Sequence, residues 1–163
     1  MARVFVGIGS NEGDRLANIS RAIQQLGQSP GVRLIQLATI QETEPVGPPQ
    51  GLFLNTVVEL ETVLSPRELL GLVKRLEREL GRLPTAHRWG PRPIDLDLLL
   101  YDDQAISEQD LLIPHPQLHA RRFVLEPLAQ LAPELIHPVR KQTIAQLLHQ
   151  CSNPSSLSSH ARD

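Results

Sequence analysis

Cysteine is almost absent from the sequence, which has one, Cys151, among its 163 residues. A single cysteine excludes an internal disulfide, and such a chain fits the reducing conditions of the cytosol. Cys151 lies in a late polar region of the chain. We therefore interpret it as a passive thiol rather than as a catalytic nucleophile.

Long hydrophobic runs and an excess of positive charge are lacking as well. The apolar start, residues 1–9, is too short and too rich in glycine for a signal peptide, and no later run approaches the roughly 20 residues of a membrane span. The formal net charge is −2, so no basic excess exists to neutralise a nucleic-acid backbone. We expect a soluble, cytoplasmic monomer that binds neither nucleic acid nor membrane.

Two common phosphate-binding glycine patterns are also missing. The spacing of Gly7, Gly9 and Gly13 is Gly-x-Gly-x-x-x-Gly, which differs from the dinucleotide fingerprint, and no acid follows a clear second parallel strand. The chain contains no Gly-x-x-x-x-Gly-Lys-Ser/Thr loop either. A dinucleotide-dependent oxidoreductase is therefore a weak alternative, and an ordinary P-loop kinase is excluded.

The length suits one domain with a substantial core. Only the serine-rich end has low complexity, so we expect a single domain over residues 1–151 and a flexible tail over residues 152–163. Hydrophobic periodicity and capping signals predict strands and helices within that domain. Strands are predicted over residues 3–8, 32–42, 52–62 and 94–100, and helices over residues 16–27, 65–81, 125–132 and 143–150.

The most informative stretch is Arg88–Tyr101, where a basic loop leads into an apolar strand. On an extended chain Asp95 and Asp97 share one face, and the other face carries Ile94, Leu96, Leu98 and Leu100. Two carboxylates about 5 Å apart repel by about 3 kcal/mol at an effective dielectric near 20. Hard divalent cations such as Mg²⁺ offset that repulsion, although both acids could instead pair with nearby arginines on a wet strand face.

Two long loops precede this strand and could contact a ligand. The loop from Thr43 to Gly51 is rich in proline and glycine and is either a movable flap or a rigid spacer. The loop from Arg82 to Pro93 carries three arginines and Trp89, the only tryptophan. Arginine forks suit phosphate oxygens and an indole face suits a flat ring, so this loop is either half of a polyphosphate clamp or an ordinary solvated loop.

Polar residues outside these loops add further candidates. Asn55 falls on the polar face of its predicted strand, where an amide could read the edge of a heterocycle or satisfy neighbouring backbone. His115 and His119 lie in a stretch that also holds Arg121 and Arg122. A zinc site is unfavourable there because the acid of His-Glu-x-x-His is missing. The histidines are interpreted as phosphate or nucleobase contacts or as plain surface residues.

Four pieces of the chain form a series of short motifs. They are Gly9-Ser10-Asn11, Thr43-x-Pro45-x-Gly47 before Leu54-Asn55, Arg88-Trp89-Gly90-Pro91-Arg92-x-x-Asp95-Leu96-Asp97, and Pro114-His115 followed by Arg121-x-Phe123. Taken in order, they resemble the 6-hydroxymethyl-7,8-dihydropterin pyrophosphokinase family over about residues 3–138. The resemblance implies a ferredoxin-like βαββαβ α+β fold, with an antiparallel sheet backed by helices. It also implies transfer of pyrophosphate from ATP to a pterin alcohol with two Mg²⁺ ions.

The same resemblance implies a role for each matching position. Asp95 and Asp97 would bind the metal ions, and Arg82 and Arg92 would be catalytic. The ATP site would comprise Glu77, Arg88, Trp89, Arg92, Leu98, His115 and Arg121, and the pterin site Thr43, Glu44, Val46, Phe53, Asn55, Trp89 and Phe123.

The chain departs from the family pattern at four positions. Pro84 stands where some members have arginine, Asp110 and Leu112 replace an arginine and a threonine near the adenosine, and Phe53 replaces a possible tyrosine. These departures leave the expected metal and pterin positions intact but affect the expected nucleotide contacts. A non-catalytic ligand-binding module of the same architecture remains the main alternative from another class.

Overall fold

A computed structural model describes residues 1–44, 51–81 and 93–151 of the protein. Its main sheet is antiparallel, with the strand order β2-β4-β1-β5, and the short β3 also pairs with β4. The elements are β1 (Ala2–Ser10), α1 (Arg15–Gln28), β2 (Val32–Leu37), β3 (Gln41–Thr43), β4 (Phe53–Thr62), α2 (Pro66–Glu79), β5 (Asp95–Tyr101), β6 (Ile106–Glu108), β7 (Leu111–Ile113), a 3-10 helix (Leu118–Ala120), α3 (Arg122–Leu131) and α4 (Ile144–Gln150).

The connection β1-α1-β2-β4-α2-β5 and this strand order give the ferredoxin-like arrangement, which confirms the expected fold. Alternation along β1 divides the core between the two faces of the sheet. Val4, Val6 and Ile8 pack with the buried residues of α1 and α2. Phe5 faces the other way, into a second cluster formed largely by α3 and α4. These two helices leave part of that face uncovered.

Local capping explains where the first two long helices begin. Ser65 accepts a hydrogen bond from Glu68 N at 3.1 Å, and Glu68 Oε1 accepts one from Ser65 N at 2.8 Å, which confirms the predicted capping box. Asp14 caps α1 by accepting from Ala17 N. The predicted stop of α1 at Gly27 is wrong, since the helix continues to Gln28 and Ser29 is its C-cap.

Two other predicted boundaries differ from the structure. The strand predicted over residues 32–42 is interrupted, and residues 38–40 separate β2 from β3. The helix predicted over residues 125–132 begins earlier, at Arg122, so Pro127 lies inside α3 rather than near its start. Proline removes one backbone donor there, and the Pro127 side chain is buried, as are those of Leu125 and Leu128.

A β-bulge in β5 changes the direction of its last leucines. Val6 pairs with Leu98 and Phe5 pairs with Leu100, so the register skips Leu99. Leu98 packs on the α1–α2 side, whereas Leu99 and Leu100 both belong to the second cluster. The expectation that Leu100 shares a face with Leu98 is therefore wrong, because strict alternation ends at a bulge.

No helix in residues 1–44, 51–81 and 93–151 combines the length and the apolar character that a membrane crossing requires.

Candidate active site

The uncovered part of the sheet face, beside α3, carries a cavity of about 210 Å³, which we call the sheet cavity. Three adjacent strands, β4, β1 and β5, form its floor. Side chains from the ends of β3 and α3 and from the segment after β7 form its walls. Its lining residues are Gly7, Ile8, Gly9, Thr43, Glu44, Phe53, Asn55, Thr56, Val57, Asp95, Asp97, Leu99, His115, Arg121, Phe123 and Val124.

Asp95 and Asp97 are both half-buried and both line the sheet cavity, as expected from their alternation with apolar residues. Their cross-strand partners on β1 are glycines: Gly9 pairs with Asp95, and Gly7 pairs with Asp97. Directly paired residues on antiparallel strands project to the same face. Neither glycine adds a side chain beside the carboxylates, and the positions that a Cβ would take at Gly9 and Gly7 lie next to Asn55 Oδ1 and the Leu99 side chain, respectively.

The donor set suits a hard cation that also binds a substrate. Among the described residues, no three His, Cys, Asp or Glu side chains group closely enough to hold a metal ion by themselves. Mg²⁺ commonly takes one or two carboxylates and completes its coordination with water and substrate phosphates. Asp95 and Asp97, which line the sheet cavity, fit that mode of binding rather than an all-protein metal cage.

Arg121 brings positive charge to the same cavity. Burial lowers the pKa of its guanidinium, while the nearby Asp97 and Asp95 act in the opposite direction. Its Nε is buried and has no hydrogen-bond partner within the described part of the chain. The guanidinium carbon lies 5.7 Å from the centre of the Phe123 ring. A buried donor without a partner is costly, so this nitrogen is well suited to an anionic ligand.

His115 is held as a neutral side chain at the wall of the sheet cavity. Burial, together with the positive charge of Arg121, lowers its pKa from 6.5 to about 4, although Asp95 acts in the opposite direction. Its Nδ1 accepts a hydrogen bond from Gln117 N at 3.1 Å. In the neutral ring the proton therefore resides on Nε2. His115 can donate a hydrogen bond to a phosphate oxygen without adding a full charge.

Four of the residues expected to recognise the pterin line the end of the sheet cavity near β3, which we call its pterin end, whereas Phe123 lies beside Arg121. Thr43 and Phe53 are paired across β3 and β4, and Glu44 also lines this end. Asn55 donates from Nδ2 to Thr43 Oγ1. The amide is therefore oriented by its neighbour, with Oδ1 directed towards Gly9.

Two expected ATP-site residues lie elsewhere. Glu77 is buried on α2, where its Oε2 accepts a hydrogen bond from Leu96 N at 2.8 Å. Leu98 is buried in the α1–α2 core. Neither is among the described residues that line the sheet cavity, and Leu99 from the bulge lines it instead. Their expected roles remain predictions.

Five expected site residues cannot be placed, since Val46, Arg82, Arg88, Trp89 and Arg92 lie outside the described residues, as does Pro84 among the departures.

One departure from the family pattern, Asp110, is accounted for by a local contact. Asp110 accepts a hydrogen bond from Arg67 Nη1 at 2.6 Å, and Glu108 pairs with the same guanidinium. This arginine joins the turn between β6 and β7 to α2. Leu112, in β7, is largely exposed. Asp110 thus pairs with Arg67, whereas an arginine at position 110 would be repelled by Arg67.

Gly7 and Gly9 are the site residues whose role sequence reasoning missed. Their spacing differs from the dinucleotide fingerprint, and Gly9 also belongs to the Gly9-Ser10-Asn11 motif, but their structural importance comes from standing opposite the two aspartates. That relation depends on the register of β1 with β5, which a single sequence does not reveal.

Two carboxylates that favour a hard cation meet a buried arginine and a neutral histidine that can donate to phosphate in the sheet cavity, and this combination suits phosphoryl transfer. The fold and the site thus define a ferredoxin-like phosphotransferase. Within this class, the chain belongs to the HPPK family, whose model, described as 7,8-dihydro-6-hydroxymethylpterin-pyrophosphokinase, matches residues 5–133. The predicted family is confirmed.

Relatives with this activity in their names are similar over most of their length. The 2-amino-4-hydroxy-6-hydroxymethyldihydropteridine pyrophosphokinase of Aquifex aeolicus is 40% identical over 147 residues, covering 90% of each chain. The Bacillus subtilis protein of the same name is 42% identical over 132 residues, covering 80% of this chain and 78% of its own.

A solved structure of Plasmodium falciparum HPPK-DHPS with pteroate supports the fold alone. It matches with a TM-score of 0.76 at 16% identity, over 98% of this chain and 44% of that chain. The protein therefore spans less than half of that bifunctional chain.

Proposed function

We propose that the protein transfers the terminal pyrophosphoryl group of ATP to the hydroxymethyl oxygen of 6-hydroxymethyl-7,8-dihydropterin in folate biosynthesis. The family match over residues 5–133 supports this reaction. The structural observation that carries the proposal is the pair of aspartates opposite two glycines in a cavity that also contains Arg121 and His115. This arrangement provides both the carboxylates and the space that a metal-bound polyphosphate requires.

The reaction forms one bond and breaks another at the β-phosphorus of ATP. The hydroxymethyl oxygen of the pterin bonds to that phosphorus, and the bond from the phosphorus to the oxygen bridging the α- and β-phosphates breaks. AMP leaves with the bridging oxygen, and the proton of the hydroxymethyl group is released to solvent. Positioning and electrostatic stabilisation dominate catalysis of such transfers.

Asp95 and Asp97 would hold two Mg²⁺ ions, which supply charge neutralisation to the triphosphate when bound. Both carboxylates project from the start of β5, and Glu77 bonds to the backbone between them. Their separation is therefore held by a strand rather than by a loop. A strand-borne acid pair supports precise placement of the reacting phosphate.

Phosphate and nucleotide binding would involve side chains from several segments. Arg121 would donate from its unpartnered Nε, and His115 would donate from Nε2. Arg82 and Arg92 would stabilise charge that develops in the transition state. Glu77, Arg88, Trp89, Arg92 and Leu98 would complete the ATP site by resemblance to the family.

The pterin would occupy the end of the sheet cavity near β3. Trp89 and Phe123 would stack on its two faces. The side chain of Asn55, held by Thr43, would read the polar edge of the ring. Glu44, Val46 and Phe53 would complete this subsite by resemblance to the family.

A product assay tests the proposed reaction. AMP should appear from ATP only when Mg²⁺ and the pterin alcohol are both present. Asp95→Ala and Asp97→Ala should each remove most of the turnover while the protein still folds, because removing one carboxylate relieves repulsion in the pair. Asp103→Ala, at an exposed position just after β5, is the matched control and should keep wild-type turnover.

Two results would contradict the proposal. Release of AMP without the pterin alcohol would indicate a different acceptor, and binding of both ligands without any turnover would indicate a non-catalytic module. Near-wild-type turnover of either aspartate variant at saturating Mg²⁺ would contradict the metal assignment.

We also propose that the whole protein is a cytoplasmic monomer with one domain over residues 1–151. ATP and the pterin alcohol would be its partners.

A further inference from the structure

Arg15, in the first turn of α1, contacts both chain segments that lead into the pterin end of the sheet cavity, although it does not line the cavity among the described residues. Its Nη1 donates to the carbonyl oxygen of Leu52 at 2.8 Å. Its Nη2 lies 3.0 Å from Glu42 Oε2. Glu42 belongs to β3, and Leu52 directly precedes β4. One guanidinium therefore joins the segments before and after residues 45–50.

The turn between β1 and α1, directly before Arg15, makes a second contact of the same kind. Asn11 Nδ2 donates to the carbonyl oxygen of Gly51 at 3.2 Å. The turn is itself held by Asn18, whose Nδ2 donates to Glu12 O at 2.9 Å. Two successive carbonyls thus accept side-chain hydrogen bonds rather than strand hydrogen bonds. Gly51 O accepts from the turn before α1, and Leu52 O accepts from the first residue of α1.

These contacts matter because β3 is short. It has three residues, and its pairs with β4 are Gln41 with Asn55, Glu42 with Leu54 and Thr43 with Phe53. Few ladder hydrogen bonds hold such a strand at the edge of a sheet. The residues on that strand pair include Thr43, Phe53 and Asn55, which line the sheet cavity. Side-chain contacts from outside the sheet therefore contribute to their placement.

We propose that Arg15 is a positioning residue for the pterin end of the sheet cavity, acting by holding Glu42 and Leu52 in place. The inference rests on the proposed function. An arginine suits this role because its planar fork presents several donors at once, whereas a lysine presents a single point charge. The side chains of Arg15 and Glu42 are 31% and 50% exposed. Solvent weakens the ion pair, and the bond to Leu52 O is also exposed, so the two contacts act together through one guanidinium.

The test separates binding of the pterin from binding of ATP. At saturating ATP, Arg15→Ala should raise the KM for the pterin alcohol about 3- to 10-fold, the effect of losing one partly exposed charge-assisted hydrogen bond. The kcat and the KM for ATP should stay within about twofold of wild type, since Arg15 is not among the described residues that line the sheet cavity. Arg15→Lys should give an intermediate KM for the pterin.

Arg33→Ala is the matched control. Arg33 also forms a surface ion pair, with Glu61 at 2.8 Å, but on the β2–β4 ladder and away from the sheet cavity. Its loss should leave every kinetic constant unchanged. A rise in pterin KM that Arg33→Ala reproduces would overturn the inference, as would an unchanged pterin KM in an Arg15→Ala enzyme that is otherwise active. An inactive wild-type protein would instead refute the proposed function and the inference together.

Discussion

Gly9 places a strict limit on what can stand beside the Asn55 amide. A methyl group at position 9 would lie 2.7 Å from Asn55 Oδ1 and 3.4 Å from a ring carbon of Phe53. Asn55 would have to turn away from the position in which Thr43 holds it. We expect Gly9→Ala to raise the KM for the pterin alcohol about tenfold, which corresponds to about 1.4 kcal/mol of lost binding.

Gly7→Ala is the control for this substitution on the same strand. Its methyl group would contact the Leu99 side chain at 3.6 Å, an ordinary van der Waals distance. The pterin KM of this variant should stay within about threefold of wild type, because a methyl in open contact costs little binding. Equal changes in the two variants, measured by steady-state kinetics, would show that the contact with Asn55 is unimportant.

His115 should make the stability of the fold depend on pH. Burial lowers its pKa from 6.5 to about 4 in the folded state, so the unfolded chain binds the proton more readily. Its contribution to stability is full above pH 6.5 and is lost as the pH falls towards 4. The loss is on the order of 1–3 kcal/mol after allowing for partial exposure.

Urea unfolding of His115→Asn between pH 8 and pH 4 measures this contribution. The free energy of unfolding of the variant should fall less steeply below pH 6.5 than that of the wild type. At pH 8, the difference in free energy of unfolding between the wild type and His115→Asn measures what the neutral ring contributes through packing and hydrogen bonding. The remaining slope should reflect His119 and His137, whose pKa values are also lowered by burial. Identical slopes would mean that His115 titrates alike in both states.

The acid pair was predictable from the sequence, whereas its surroundings were not. Asp95 and Asp97 alternate with apolar residues, and period-two alternation is local information. The glycines opposite them and the packing of His115 against Arg121 depend on residues distant in the chain. Such long-range burial and strand pairing determine the protonation and the neighbours of a side chain, and a single sequence does not reveal which distant residues meet.

At the scale of elements, β5 is an edge strand held from outside by α2. Glu77 Oε2 accepts a hydrogen bond from Leu96 N at 2.8 Å in a buried setting, between the two aspartates in sequence. Glu77→Ala would leave this amide buried without that acceptor, at a cost of about 1–3 kcal/mol. We expect a lower free energy of unfolding and a lower affinity for Mg²⁺, because the backbone that carries both carboxylates loses its support.

Two variants on α2 make this prediction specific. Glu77→Gln keeps an acceptor oxygen and should retain most of the stability in urea unfolding. Glu79→Ala removes an exposed carboxylate from the same helix, where its pair with Arg75 at 3.8 Å contributes little. If Glu79→Ala were as unstable as Glu77→Ala, the bond to Leu96 could not be the cause.

Strong local signals predicted the elements, and long-range pairing decided their limits. The capping box at Ser65 and the apolar stripe after it placed α2 correctly. The bulge at Leu99 and the break between β2 and β3 follow from register with β1 and β4. The helix predicted from residue 125 begins at Arg122, and α3 tolerates a buried proline in its interior, which local propensity disfavours.

For the whole molecule, the single-domain proposal predicts that residues 152–163 can be removed. The last described helix, α4, begins with Thr143 as its N-cap and buries Ile144 and Leu147 in the second cluster. A chain ending at residue 151 keeps these contacts and should melt within about 2 °C of the full chain. A chain ending at residue 142 would expose that cluster and should unfold several degrees lower or fail to fold.

Ligand binding should stabilise the whole fold by mass action if the sheet cavity holds ATP with Mg²⁺. At a ligand concentration about 100 times Kd, the gain is about 2.7 kcal/mol, which raises the Tm of a chain of this size by about 5–10 °C. Thermal melts with ATP and Mg²⁺ should show this rise, and a chelator should remove it. Asp97→Ala should melt near the wild-type Tm without ligand but gain little from ATP and Mg²⁺, because one of the two carboxylates is gone. A full rise in that variant would place the metal-bound nucleotide elsewhere on the molecule.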